Sequence, residues 1–123
     1  MISIVNYGLG NIGSMLNMFK HIGVKAKLES DPIKLSQSQK IILPGVGSFD
    51  VAMKKINNIE GLLDALNYKA KVEKIPILGI CLGMQLMTRS SEEGEMKGLG
   101  WINADTIKFK LGNDLKVPHM GWN

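Results

Sequence analysis

Residues Ile77-Leu78-Gly79-Ile80 form a run with no polar position, and the chain then turns through Cys81, which stands between Gly79 and Gly83. A strand that is apolar on both faces belongs in the middle of a parallel sheet with helices on either side. Parallel neighbours cannot be joined by a tight hairpin, so the rest of the chain must alternate strands with crossover helices.

The remaining pattern agrees with that demand. Ile2-Ser3-Ile4-Val5 is short, apolar and β-branched, and reads as a strand. Ile12, Met15, Leu16 and Phe19 recur at helical spacing, and Gly23 ends that helix. Residues 24–28 alternate apolar with Lys as a second strand, Asp31-Pro32 opens a short helix, and Lys40-Ile41-Ile42-Leu43 is a third strand closed by Pro44-Gly45. Ile59, Leu62, Leu63, Leu66 and Ala70 share one helical face, and residues 84–88 are helical after the turn at Cys81. Residues 90–100 read as a polar loop. Residues 105–110 alternate as a further strand and 115–117 as another, so that the sheet turns antiparallel and is left half built at Asn123. The expected fold class is α/β with a mainly parallel sheet, and the 123 residues are expected to be the N-terminal part of a longer protein.

Composition excludes several classes. No run of about 18 apolar residues is present for a membrane helix, and Met1-Ile2-Ser3-Ile4-Val5 lacks the basic lead of a signal peptide. The net charge of +4 comes almost wholly from lysines scattered among acids, with Arg89 the only arginine, which reads as a solvated surface and not a nucleic-acid face. Cys81 is the only cysteine, so no intrachain disulfide is possible and the reducing cytoplasm is the expected compartment. Met84 and Met87 are expected as core filler, and Trp101 and Trp122 as partly buried packing residues.

Two glycine-rich turns compete for the functional role. Gly8-Leu9-Gly10-Asn11-Ile12-Gly13 is a literal G-x-G-x-x-G between a strand and a helix, with Glu29 placed as a ribose-binding acid would be. Against a dinucleotide site, Asn6 and Tyr7 intervene as a polar lead-in between strand and first glycine. The sharper motif is Gly79-Ile80-Cys81-Leu82-Gly83, the cysteine form of a nucleophile elbow. There the helix N-terminus is expected to favour the Cys81 thiolate, and the Leu82 N–H to hold an oxyanion. Pro44-Gly45-Val46-Gly47-Ser48 follows another strand, and backbone N–H groups there could complete the oxyanion hole.

Pro44-Gly45-Val46-Gly47 followed by Gly79-Ile80-Cys81-Leu82-Gly83-Met84-Gln85 resembles the class I, triad-type glutamine amidotransferases. Asn6-Tyr7-Gly8-Leu9-Gly10-Asn11 and Val117-Pro118-His119-Met120-Gly121-Trp122-Asn123 narrow the resemblance to glutaminase subunits of imidazole glycerol phosphate synthase, the HisH type. The resemblance implies a flavodoxin-like, twisted parallel sheet with helices on both faces, with residues 1–123 forming the N-terminal part of one amidotransferase domain. It implies Cys81 as nucleophile, the backbone of Leu82, Val46 and Gly47 as oxyanion hole, and Gly45 and Gln85 as substrate contacts. Asn11, His119, Met120 and Trp122 would lie toward the partner and the ammonia passage.

It also implies glutamine as substrate, no metal or organic cofactor, no membrane or nucleic acid, and a heterodimer with a barrel-fold cyclase. That partner would use the ammonia to convert PRFAR into imidazole glycerol phosphate and aminoimidazole carboxamide ribotide in histidine biosynthesis. The family triad adds a His and a Glu downstream of the Trp-Asn motif; neither His21 nor His119 matches that base, so the 123 residues alone are expected to turn over little glutamine. Remaining alternatives are a glutaminase feeding a surface-sugar amidotransferase, an inactive fragment, and a dinucleotide-binding domain using Gly8, Gly10, Gly13 and Glu29.

Overall fold

The computed structural model describes residues 1–110 and 112. Four parallel strands, β1 (Ile2–Val5), β2 (Ala26–Glu29), β3 (Lys40–Leu43) and β4 (Ile77–Gly79), lie in the order β2-β1-β3-β4. This is the opening of the 2-1-3-4-5 order of flavodoxin-like sheets, whose direction of winding reverses between β1 and β3.

Period-two alternation in the central strands divides the core. Val5, Ile41 and Leu43 face the larger cluster, which is built with Leu35 of α2 (Pro32–Leu35), Phe49, Ala52, Met53 and Ile56 of α3 (Phe49–Asn58), Leu62 and Leu66 of α4 (Leu62–Asn67), and Leu82 and Leu86 of α5 (Leu82–Leu86). Ile4 and Ile42 face the smaller one, where α1 (Ile12–His21) lays Phe19, Met15 and Leu16 on the sheet. Helices thus cover both faces, as expected.

The structure corrects several expectations. β4 is an edge strand among the described residues, and Leu78 is 59% exposed on it. Leu78 lies in register with Ile42 on the α1 side, and α1 packs over β1, β2 and β3 without covering it. Residues 105–110 form no strand; only an isolated parallel bridge joins Thr106 to Ser91, and the described sheet contains no antiparallel pair. The second strand begins at Ala26, not at residue 24.

The helix expected from Ile59 to Ala70 starts later. Gly61 has a left-handed φ of 82° that caps α4, while Ile59 belongs to the extended exit from α3. Beyond Asn67 the chain widens into a π-helical turn, Tyr68–Val72, where buried Lys69 pairs with Glu73. The last helix spans Leu82–Leu86, two residues earlier than expected. Of the two methionines after the turn, Met87 is buried and Met84 is exposed, so only Met87 fills the core. Trp101 packs partly buried against the larger cluster and donates its indole N–H to Asn67 Oδ1 at 2.8 Å. The strand expected at residues 115–117, and Trp122, lie outside the described residues.

One helix was not anticipated. α3 carries Phe49, Ala52, Met53 and Ile56 at i, i+3, i+4 and i+7, and Ser48 caps it by accepting the Val51 N–H at 3.4 Å.

Candidate active site

The carboxyl ends of β1, β3 and β4 open into three turns: residues 6–11, 44–48 and 80–82. In open α/β sheets this edge is where ligands bind.

Cys81 sits at the tip of the third turn, exposed, with φ 53° and ψ −121°. A positive φ is costly for a residue with a Cβ, of order 1–3 kcal/mol. The flanking glycines explain how it is held. A Cβ on Gly79 would lie 2.6 Å from the Met84 Cα, and one on Gly83 would overlap the Leu43 carbonyl oxygen. Only hydrogen at both positions lets α5 fold back tightly on β3 and β4, and that close return forces the bend through Cys81. The Cys81 carbonyl accepts the N–H groups of Met84 at 3.0 Å and Gln85 at 3.3 Å, and Gly83 donates to Ile80 at 2.9 Å. The Leu82 N–H meets no acceptor among the described residues.

The second turn leaves β3 buried and emerges into solvent. Pro44 and Gly45 are buried, whereas Val46, Gly47 and Ser48 are exposed. A Cβ on Gly45 would stand 2.8 Å from the Gly83 nitrogen and 3.1 Å from the Leu82 Cβ, so this loop touches the Cys81 turn directly. Neither the Val46 nor the Gly47 N–H meets an acceptor among the described residues. Three backbone donors on these two turns, those of Leu82, Val46 and Gly47, are therefore without an acceptor among the described residues. At five residues α5 is little more than one turn, so it offers the Leu82 N–H and not a long macrodipole.

The first turn is a packing element. Tyr7 is 3% exposed, and its phenol donates to the Pro44 carbonyl at 2.7 Å. The expected polar lead-in is therefore a buried anchor. Burial pushes its pKa up to about 12. A Cβ on Gly10 would lie 2.9 Å from the Pro44 Cβ, so the glycines admit Pro44 where a pyrophosphate would have to approach. Glu29 is also engaged: its carboxylate accepts the Asp31 N–H at 3.3 Å and pairs with Lys27 at 3.5 Å.

Asn11 is exposed just before α1, and Gln85 is half-buried one turn after Cys81. The structure thus brings Gly45, Cys81 and Leu82 together, with Val46, Gly47 and Gln85 adjoining them in sequence. His119, Met120 and Trp122 lie outside the described residues. His21 is exposed in the last turn of α1, at the opposite end of that helix from Asn11. Among the described residues no three His, Cys, Asp or Glu side chains converge as metal ligands would, and no helix is long and apolar enough to cross a membrane.

Two residues near the site have roles that the sequence pattern does not show. Tyr7, a polar lead-in by sequence, is a buried anchor. Asp50, in the first turn of α3, accepts the Glu95 N–H at 3.1 and 3.0 Å and the Met96 N–H at 2.9 Å, and so fastens the 94–96 loop to the helix that follows the 44–48 turn. Those N–H groups hold its carboxyl below the ordinary aspartate range. Its signal was the apolar spacing of α3, which places position 50 at the helix start.

Comparison with known proteins bears on the same turns. The family model "Glutamine amidotransferase class-I" matches residues 3–123. The imidazole glycerol phosphate synthase subunit HisH 2 of Methanococcus maripaludis is 58% identical over 123 residues, covering 100% of this chain and 60% of the relative. The subunit HisH 2 of Pseudomonas aeruginosa is 46% identical with the same coverage. The subunit HisH of Sulfurimonas denitrificans is 49% identical over 127 residues, again 100% of this chain and 60% of the relative. The chain thus spans about 60% of the length of the curated relatives it matches. With a match that runs through all three turns at the carboxyl edge, this chain belongs to the class-I glutamine amidotransferase family.

Proposed function

We propose that this chain carries the nucleophile of a glutaminase that supplies ammonia to imidazole glycerol phosphate synthesis. The observation that carries the reading is an exposed Cys81 on a strained turn that touches the 44–48 turn at Gly45, with the N–H groups of Leu82, Val46 and Gly47 on these two turns lacking an acceptor among the described residues. Relatives named as HisH subunits of imidazole glycerol phosphate synthase supply the acceptor.

In this reading the Cys81 sulfur bonds to the side-chain carbonyl carbon of glutamine, and the carbonyl electron pair moves onto oxygen. Two or three of those N–H groups stabilise that oxyanion. Gly45 and Gln85 line the glutamine. The tetrahedral intermediate collapses, and the nitrogen takes a proton and leaves as ammonia. Water then cleaves the glutamyl thioester to glutamate and restores the thiol. The base and its carboxylate partner are those that the family carries on the segment after its Trp-Asn motif. Ammonia passes to a barrel-fold cyclase subunit across a surface that includes Asn11, His119, Met120 and Trp122. No metal or organic cofactor takes part, and the assembly works in the cytoplasm.

The test is Cys81→Ala in the full-length protein with its synthase partner. Glutamine-dependent synthesis is expected to be lost while synthesis from added ammonia persists. Retention of glutamine-dependent synthesis would refute the assignment.

A further inference from the structure

The 44–48 turn changes character halfway. Its first half, Pro44 and Gly45, is buried, and its second half, Val46 to Ser48, is exposed. The downstream end is held by the Ser48 cap on α3, where Val51 donates to Ser48 Oγ and Ala52 to the Ser48 carbonyl at 3.0 Å. At the upstream end, the Tyr7 side chain reaches the turn. The Tyr7 hydroxyl donates to the Pro44 carbonyl at 2.7 Å and stands 2.8 Å from where a Gly45 Cβ would be. The same Gly45 position is 2.8 Å from the Gly83 nitrogen and 3.1 Å from the Leu82 Cβ, so the phenol sits where the two turns beside Cys81 meet.

We propose that Tyr7 is a positioning residue for catalysis, fixing the Pro44–Gly45 peptide so that the following N–H groups of Val46 and Gly47 present themselves to the oxyanion. The inference rests on the glutaminase reading and adds to it a residue from a different strand. A peptide plane is rigid, so a hydrogen bond to the Pro44 carbonyl also sets the direction of the Gly45 N–H. Beyond that plane only rotations at Gly45 and Val46 decide where the next two N–H groups point. Glycine at 45 leaves one of those rotations nearly free, and Gly47 adopts a φ of +88°. A loop of this composition does not hold an oxyanion geometry by itself. The phenol supplies an external reference, and at 3% exposure no water competes strongly for its proton. The glycine-rich 6–11 segment follows from the same requirement. It must bring Tyr7 under Pro44 and still let Gly10 pass the proline ring.

The test is Tyr7→Phe, which keeps the ring and deletes only the hydroxyl, in the full-length protein assembled with its acceptor subunit. Glutamine-dependent kcat is expected to fall about tenfold or more, part of the ~10²–10³ lost when an oxyanion donor itself is removed. KM for glutamine is expected to stay within about twofold, because the ground-state amide does not use the hole fully. Alkylation of Cys81 by iodoacetamide, which needs no oxyanion hole, reports whether the Cys81 turn is still formed, and its rate should be unchanged. A smaller fall in kcat, a change confined to KM, or an equal loss in alkylation would each overturn the positioning role. The glutaminase reading is judged apart from this by Cys81→Ala. If that variant keeps glutamine-dependent activity, the reading itself fails, whatever Tyr7→Phe does.

Discussion

The α-carbon of Gly83 packs against the carbonyl oxygen of Leu43 so closely that a side chain of one carbon would overlap it. That oxygen cannot withdraw cheaply, because it also accepts the Ile80 N–H at 3.0 Å, the last bond between β3 and the strand leading to Cys81. The contact joins the two turns of the candidate site through backbone alone.

Gly83→Ala should therefore destabilise the protein by about 2–3 kcal/mol or more, as an overpacked core position with no flexible neighbour to yield. Urea unfolding measures it. Gly13→Ala is the control, since nothing lies within 4 Å of a Cβ there, and it should be neutral or slightly stabilising within α1. Equal stability for both variants would contradict the packing account.

Asp50→Asn should loosen the 94–96 loop and make the stability of the protein less sensitive to acid. The folded carboxylate has its pKa lowered, first by the Glu95 N–H and then by the Met96 N–H. Its contribution is therefore present above the ordinary aspartate value of 3.8 and is lost as pH falls through the lower folded value. Hydrogen exchange at Glu95 and Met96 should quicken in Asp50→Asn at pH 7. An unchanged exchange rate at both amides would remove Asp50 as the anchor.

An alkaline transition should belong to Tyr7. Its folded pKa is raised to about 12 by burial. A raised pKa means that stability is complete below the ordinary tyrosine value of 10.0 and declines as pH climbs toward 12. In Tyr7→Phe the part of the alkaline loss that comes from this group should vanish, as read from thermal midpoints between pH 9 and about 11. An identical alkaline decline in both proteins would contradict it.

Much of this was legible in the sequence because local pattern and tertiary demand coincided. Ile2–Val5 and Lys40–Leu43 are central strands and read as such. The Gly79-x-Cys81-x-Gly83 turn was readable because each glycine answers a close backbone approach that any side chain would prevent. Other features depended on distant partners. Leu78 has the sequence of a buried strand residue, yet among the described residues no strand lies beyond β4 and Leu78 is exposed. Residues 105–110 alternate like a strand, but among the described residues their only strand-like pairing is the bridge between Thr106 and Ser91. Tyr7 looked like a polar interruption because its partner, the Pro44 carbonyl, lies 37 positions away. The helix at Phe49–Asn58 does carry its signal, in the spacing of Phe49, Ala52, Met53 and Ile56 and in the cap at Ser48, directly after the glycine-rich turn.

The claim that Cys81 is the nucleophile of a glutamine-cleaving site is tested most directly by covalent trapping. The full-length protein is treated with the glutamine mimic diazo-oxo-norleucine, with and without excess glutamine, and the modified peptide is located by mass spectrometry. One adduct is expected, on Cys81, and it should form more slowly when glutamine is present. No adduct at Cys81, or an adduct whose rate glutamine does not change, would contradict it.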